Sequence, residues 1–393
     1  MISALENIKV LDFTTVLPGQ YTTLMMADMG ADVLKISSPS KKDVILDQEP
    51  YFEDSDISIS QMWLLRNKDT MALNLKTKEG IDIVKELIKE YDVLIEGFKP
   101  GTMERFGLSY EELKEINSSL IYCSLSSYGE TGPMSSYAGH DINYLAKSGL
   151  MSISGKKESG PSLLNAQIGG MAVGSNNALI GILSAIIYRM NTNKGQRIDI
   201  SMLDGLVSYN TFEGLNYLYN GNIPNREESL LNGGSLYDFY ETKDGRFFSV
   251  GAIEDKYFSG FCKIIGREDL ISGGIYPENI EIVKKEIKEI FKSKDFNEWK
   301  KVFKDQDLCI EPVQNLEEAL LLDEQIKERN VIVELDYKGN KIKQYKLPIE
   351  FSCSKAIYNH VGKKIGTDTE KILQKLSYSK EEINELKNKG VFK

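Results

Sequence analysis

The chain has 393 residues, enough for two or three domains at about 100–200 residues each and for a core that needs no disulfide staples. Hydrophobic residues make up 41% and charged residues 27%, with 32 glycines and 10 prolines spread along the chain; disorder, collagen and a simple coiled coil are excluded. The 48 basic and 58 acidic residues give a net charge of −10 with no long basic run, so no nucleic-acid partner is expected and an anionic ligand needs a local basic pocket.

Read in chain order, Ile8 to Phe13 is a buried strand, Gly19 a turn, Tyr21 to Met29 a helix and Ala31 to Ile36 a second strand. The unit repeats as strand Met71 to Leu75, helix Lys78 to Glu90 and strand Asp92 to Glu96. Ser109 and Glu112 form a capping box that opens the helix Ser109 to Ile116, which leads into the strand Ser119 to Leu125. Such alternation predicts an α/β fold with a Rossmann-like parallel sheet covered on both faces. Ile168 to Met190 is broken by Ser175, Asn176, Asn177, Ser184 and four glycines, too polar for a lipid-exposed span, and is expected to be a buried helix; no membrane partner is predicted.

Gln196 to Ile200 reads as a strand and Ser201 to Leu218 as a helix, ending in the Asn/Gly/Pro-rich break Asn220 to Arg226. The expected organisation is a large α/β domain over 1–220, a smaller α+β domain over 227–330 and a return to the large domain over 331–393. The middle part carries a strand at Phe247 to Val250 and helices Ile280 to Lys292 and Asp295 to Phe303. The tail carries a strand Gln344 to Phe351 and the helix Ser379 to Lys387.

Cys123, Cys262, Cys309 and Cys353 lie far apart without a CxxC or Cys/His cluster, so neither metal nor disulfides are expected. With no charged and apolar leader at Met1 to Val10, a cytoplasmic protein is expected. No redox cofactor is expected, because Gly19-Gln20-Tyr21 lacks the GxGxxG spacing, and a Walker A sequence is absent. Of two histidines, His360 reads as structural. His140 follows the turn segment Gly129 to Pro133, where a loop delivers side chains to a cleft at a strand end. Arg66, Lys68, Lys76, Lys99 and Arg105 fall near the strand ends, where they are either solvated surface or contacts for a ligand's phosphates.

Several stretches, in order and over nearly the whole chain, resemble the class III CoA-transferase family, which includes α-methylacyl-CoA racemase. They are Val10 to Phe13, Ala27 to Lys35, Asn67-Lys68, Leu73 to Thr77, Phe98 to Leu108, Tyr128 to Pro133, Gly139 to Tyr144, Lys194 to Asp199 and Gly366 to Thr369. The resemblance implies coenzyme A as the acyl-CoA substrate and an interlocked homodimer. It puts Leu73, Asn74, Leu75, Lys76, Gly97, Phe98 and Arg105 along the CoA, with Lys68 and Lys99 as phosphate partners and Gly139 and Tyr144 beside them. Ser38 stands where family members often carry Arg, and Lys41 or Lys42 could take that part.

Gly139 to Tyr144 and Gly251 to Glu254 are similar to the racemase branch, which implies His140 as an acid/base supported by Glu254 or Asp141. Histidine suits removal of a thioester α-proton near neutral pH. Where the family places an Asp before a Gly-rich helix start, this chain aligns Gln167, in Ala166-Gln167-Ile168-Gly169-Gly170. A neutral amide is no nucleophile, though it can donate a hydrogen bond to an enolate oxygen. Racemase-like α-proton abstraction is therefore the leading expectation. The alternatives are a CoA-transferase with Glu158 or Asp141 as nucleophile, and a silent CoA-binding subunit.

Overall fold

Six short strands form one sheet in the computed structural model, which describes residues 2–53 and 55–392. The strands β1 (Lys9–Asp12), β2 (Asp32–Ser37), β3 (Asp69–Ala72), β4 (Val93–Glu96), β5 (Ile121–Ser126) and β6 (Gln196–Ser201) lie in the order β3-β2-β1-β4-β5-β6. Every neighbouring pair is parallel. β4 and β5 are buried along their full length, as strands covered on both faces must be. The order is that of a doubly wound sheet whose connections reverse between β1 and β4. Ligands of such sheets bind past the carboxyl ends of the strands at that reversal.

Local rules explain the covering helices. In Lys78–Ile88 the Thr77 hydroxyl accepts the Gly80 N–H at 3.1 Å, and Ile83, Val84, Leu87 and Ile88 turn onto Leu11, Leu34, Met71 and Leu94 of the sheet. The expected capping box is present, Ser109 accepting from Glu112 N–H while the Glu112 carboxylate returns to Ser109. The end of the chain joins the same core: Ile372, Leu373, Ile383, Leu386, Val391 and Phe392 are buried in it, and Asn74 N–H donates to the Val391 carbonyl at 2.8 Å.

By internal contacts the chain divides into two units, Met1–Leu145 with Asn165–Ser208 and Arg329–Lys393, and Ala146–Leu164 with Tyr209–Glu328. The expected boundaries are corrected accordingly, since 146–164 and 209–220 belong with the second unit. The reason is bonding: Arg226 donates to the Ser154 and Met151 carbonyls, both at 2.8 Å, and Lys156 pairs with Glu227 and Asp238. This unit holds the antiparallel strands Asp238–Glu241, Phe247–Val250 and Ile310–Pro312, packed with helices including Ile280–Phe291 and Phe296–Phe303. Phe291 is its centre, with ring centroids 5.2 Å from Tyr240 and 4.9 Å from Trp299.

Three further expectations are corrected. The helix placed over 201–218 is two, Met202–Ser208 and Thr211–Asn220, broken where Thr211 takes a φ of 20°. The tail strand is Asn340–Tyr345 and stops short of Pro348, which has no N–H to offer a partner. The segment Ile168–Thr192 opens as a π-helix, Ile168–Ser175, and its second part is only half covered, leaving Ile180, Ile187 and Met190 exposed. Length and composition alone would let Ile168–Thr192 span a membrane, but half of its apolar window is buried inside the protein.

Candidate functional site

The parallel sheet brings three of the predicted stretches to one edge. Ser38 follows β2, Leu73 to Lys76 follow β3, and Gly97 to Lys99 follow β4, all at carboxyl ends. Lys76, Lys99 and Arg105 are exposed there, Arg105 donating to the Thr102 hydroxyl at 3.0 Å. Leu73 is buried in the core, whereas Asn74, Leu75, Gly97 and Phe98 are half-buried and lie along the rim. Ser38 is exposed and its hydroxyl accepts the Lys41 N–H at 3.2 Å. Of the two nearby lysines, Lys42 pairs with Asp47 at 2.7 Å.

Lys68 is not a surface phosphate partner. Its ammonium is fully buried and donates to the Thr23 hydroxyl at 2.7 Å, the Gln20 carbonyl at 3.0 Å and Asp12 at 3.3 Å. Asp12, at the end of β1, also pairs with buried Lys35 at 3.2 Å. Burial pushes the Asp12 carboxyl up, but Lys35, Lys68 and the Thr14 and Thr23 hydroxyls outweigh it and hold it at about 2. Burial pulls Lys68 down to about 8 against the attraction of Asp12. Arg66 is likewise internal, forking onto Asp28 at 3.0 and 2.5 Å.

His140 is exposed at the head of the helix Asp141–Lys147. Its N–H donates to Asn143 Oδ1 at 2.9 Å while its carbonyl accepts the Asn143 N–H at 2.8 Å. The half-buried Asp141 accepts the Gly170 N–H at 2.7 Å. A Cβ on Gly170 would lie 3.0 Å from Gln167 Oε1, 3.2 Å from Pro18 Cγ and 3.6 Å from Asp141 Oδ1, so Asp141, Gln167 and the start of the helix Leu17–Asp28 converge on this one glycine. Val16 just ahead holds a φ of 58°, a strained value for a β-branched residue of the kind that gathers at functional sites. Tyr144 is a brace rather than a ligand contact: it is buried under Gly169 and edge-on to Tyr128, while Gly139 has no room for a side chain beside the Tyr128 hydroxyl. Glu254 and Glu158 are exposed and belong to the second unit, Glu254 directly ahead of the helix Asp255–Ile264.

One residue that sequence reasoning passed over stands out. Glu96 ends β4, is 4% exposed, and accepts the Phe98 N–H at 2.7 Å. Burial pushes its carboxyl up to about 7, against the Phe98 N–H and the nearby Ser124 hydroxyl, with Glu130 and Glu104 adding to the rise. The available signal was an acid closing the apolar run Val93-Leu94-Ile95 directly before Gly97. Among the described residues no group of three or more His, Cys, Asp or Glu could hold a metal ion.

A model of CoA-transferase family III matches residues 5–369. The human α-methylacyl-CoA racemase is 31% identical over 98% of this chain and 96% of its own. The human succinyl-CoA:glutarate CoA-transferase is also 31% identical, over 99% of this chain and 90% of its own. A crystal structure of a CaiB/BaiF family protein from Brucella suis superimposes with a TM-score of 0.83 at 26% identity, covering 96% of this chain and all of that one. The expected resemblance and fold class hold, and the chain belongs to CoA-transferase family III.

Proposed function

We propose that this chain is an acyl-CoA enzyme of the racemase-like type that removes the α-proton of a (2-methyl)acyl-CoA. His140 takes the proton on its imidazole, the bonding pair moves toward the thioester carbonyl, and the Gln167 amide donates to the resulting enolate oxygen. The observation that carries this reading is the convergence of Asp141 and Gln167 on Gly170, with His140 next to Asp141 at the head of its helix. Asp141 is committed to the Gly170 N–H, which suits a fixed supporting carboxylate better than a free nucleophile. Glu254, in the second unit, is a further support for His140 on the resemblance alone. CoA would lie along the rim formed by Leu73 to Lys76 and Gly97 to Lys99, with Lys76, Lys99 and Arg105 as the exposed cations.

Solvent deuterium should enter the α-position of 2-methylacyl-CoA, and His140→Ala should lose about 100- to 10,000-fold of that rate while keeping its acetyl-CoA affinity. Equal exchange in both proteins would refute the role of His140. The transferase reading keeps a specific support, because a CoA-transferase and a racemase match this chain at the same 31%. Hydroxylamine trapping of a hydroxamate on Asp141 or Glu158 would make it primary. A silent CoA-binding subunit would bind acetyl-CoA and exchange no substrate proton.

We further propose a homodimer, interlocked as the resemblance implies, in the cytoplasm. The helix Thr211–Asn220 exposes Phe212, Leu215, Leu218 and Tyr219, the last at 89%, an apolar surface of the kind that a partner covers. Light scattering reporting a monomer at micromolar concentration would refute it.

A further inference from the structure

Past the end of β4 the chain makes a tight turn, Gly97 to Gly101, before the helix Thr102–Arg105. Gly101 closes it with a φ of 80°, which glycine tolerates without strain. The turn is anchored from beneath by one side chain, because the buried Glu96 carboxylate accepts the Phe98 N–H at 2.7 Å. The same carboxylate borders a small polar cavity shared with Ser124, Glu130, Arg197, Lys99 and Glu104. The Ser124 hydroxyl is buried close to both Glu96 and Glu130 without settling into hydrogen-bond geometry with either. Glu130 is already committed to Arg197 at 2.6 Å. Glu96 is therefore an acid in a polar pocket whose strongest fixed partner is the backbone of the turn.

We propose that Glu96 is a positioning residue for the CoA-binding turn: ionised, it fixes Phe98 and the turn in place for the ligand, and protonated, it releases them. This rests on the reading that Gly97 to Lys99 lie against CoA. The groups facing Glu96 are Lys99 from the turn, Glu104 from the following helix, Tyr110 from the helix Tyr110–Leu113, Tyr122 and Cys123 from the adjacent strand β5, and Glu130 with its partner Arg197. Glu104 and Glu130 oppose its ionisation, and Lys99 lies on the exposed side. Burial raises the carboxyl into the neutral range, so the switch operates where a protein is ordinarily assayed. A charged acceptor binds an N–H about twice as strongly as a neutral one, which for one amide corresponds to about tenfold in its opening equilibrium.

The first measurement needs no ligand. Amide hydrogen exchange of the intact protein should show Phe98 protection, corrected for intrinsic rate, falling about tenfold between pH 8 and pH 6. Glu96→Gln should be low and flat over that range, and Glu96→Asp, which keeps the acid, should restore a pH step. Calorimetric titration with acetyl-CoA should then show wild-type affinity weakening over the same interval by about tenfold more than that of Glu96→Gln; the ligand's own phosphate titrates equally in both proteins and cancels. Phe98 protection that does not change with pH in the wild type overturns the proposal. So do parallel acetyl-CoA profiles in wild type and Glu96→Gln. A protein that shows the exchange step but binds no acetyl-CoA overturns the CoA reading, and with it the role of the turn in binding, so the two failures are told apart.

Discussion

Replacing Glu96 by glutamine should make the protein more stable above neutral pH, although it removes a charged hydrogen-bond acceptor. The carboxyl titrates at about 7 in the folded protein against an ordinary 4.5, because burial raises it more than the Phe98 N–H and Ser124 lower it. Between those two values the native state holds more of the proton than the unfolded chain does. By linkage, stability then falls as pH rises through that window, and the full loss is present above pH 7. At about 1.4 kcal/mol for each tenfold in proton affinity, the gap corresponds to about 3 kcal/mol. Glutamine has nearly the same shape and never ionises, so Glu96→Gln should exceed the wild type by up to about 3 kcal/mol at pH 8 and by little at pH 5. Urea unfolding at pH 5, 6.5 and 8 measures this. A variant less stable than wild type at pH 8, or a difference that does not change with pH, would refute the argument; Lys99 or Arg197 would then be compensating the buried charge. Read with the proposed turn, the same substitution should give a sturdier protein that holds acetyl-CoA less well.

Lys68→Met should cost about 3 kcal/mol or more in urea unfolding, since it strips a buried ion pair from Asp12 and a donor from the Gln20 carbonyl. Exposed Lys76→Met should leave stability within about 0.5 kcal/mol and weaken acetyl-CoA binding; the reverse pattern would return Lys68 to the ligand. Phe392→Ala, which empties a core position next to the Val391 carbonyl that Asn74 bonds, should cost about 3 kcal/mol, and a loss under about 1 kcal/mol would show that this segment is not part of the core.

Sequence pattern carried the sheet well because the inner strands β1, β2, β4 and β5 are short, largely apolar runs next to turns, β6 alternates, and the helix Lys78–Ile88 shows its apolar face at three- and four-residue spacing. Ile83, Val84, Leu87 and Ile88 make up that face. It failed where the deciding partner is remote. Lys68 looks like surface charge until Asp12, 56 positions earlier, is seen to share its interior. The segment 146–164 has too short a helix, Leu150–Ile153, to announce which unit it joins; bonds from Arg226 decide that. His140 stands out by its place after the turn Gly129 to Pro133, its acid/base role and the choice of Asp141 and Gln167 come from the resemblance, and only the fold brings Asp141 and Gln167 together at Gly170. Glu96 was missed because a glutamate at a strand end is usually wet, and nothing local marks Ser124 and Glu130 as its enclosure.

The first unit is assembled from three separated stretches of chain, and this sets an order on its making. All six strands have been synthesised by residue 201, yet several of their interior groups lack partners until residues 329–393 are made. Arg66 waits for the Gln344 side chain and the Tyr345 carbonyl, Asn67 for the Ile357 carbonyl, and the β3 backbone at Thr70 for Asp368. A nascent chain stalled within the second unit therefore carries a sheet with one unfinished flank and an incompletely matched arginine. Residues 329–393 act as a late-arriving clasp, so a chain truncated before residue 329 should yield insoluble product rather than a shortened enzyme.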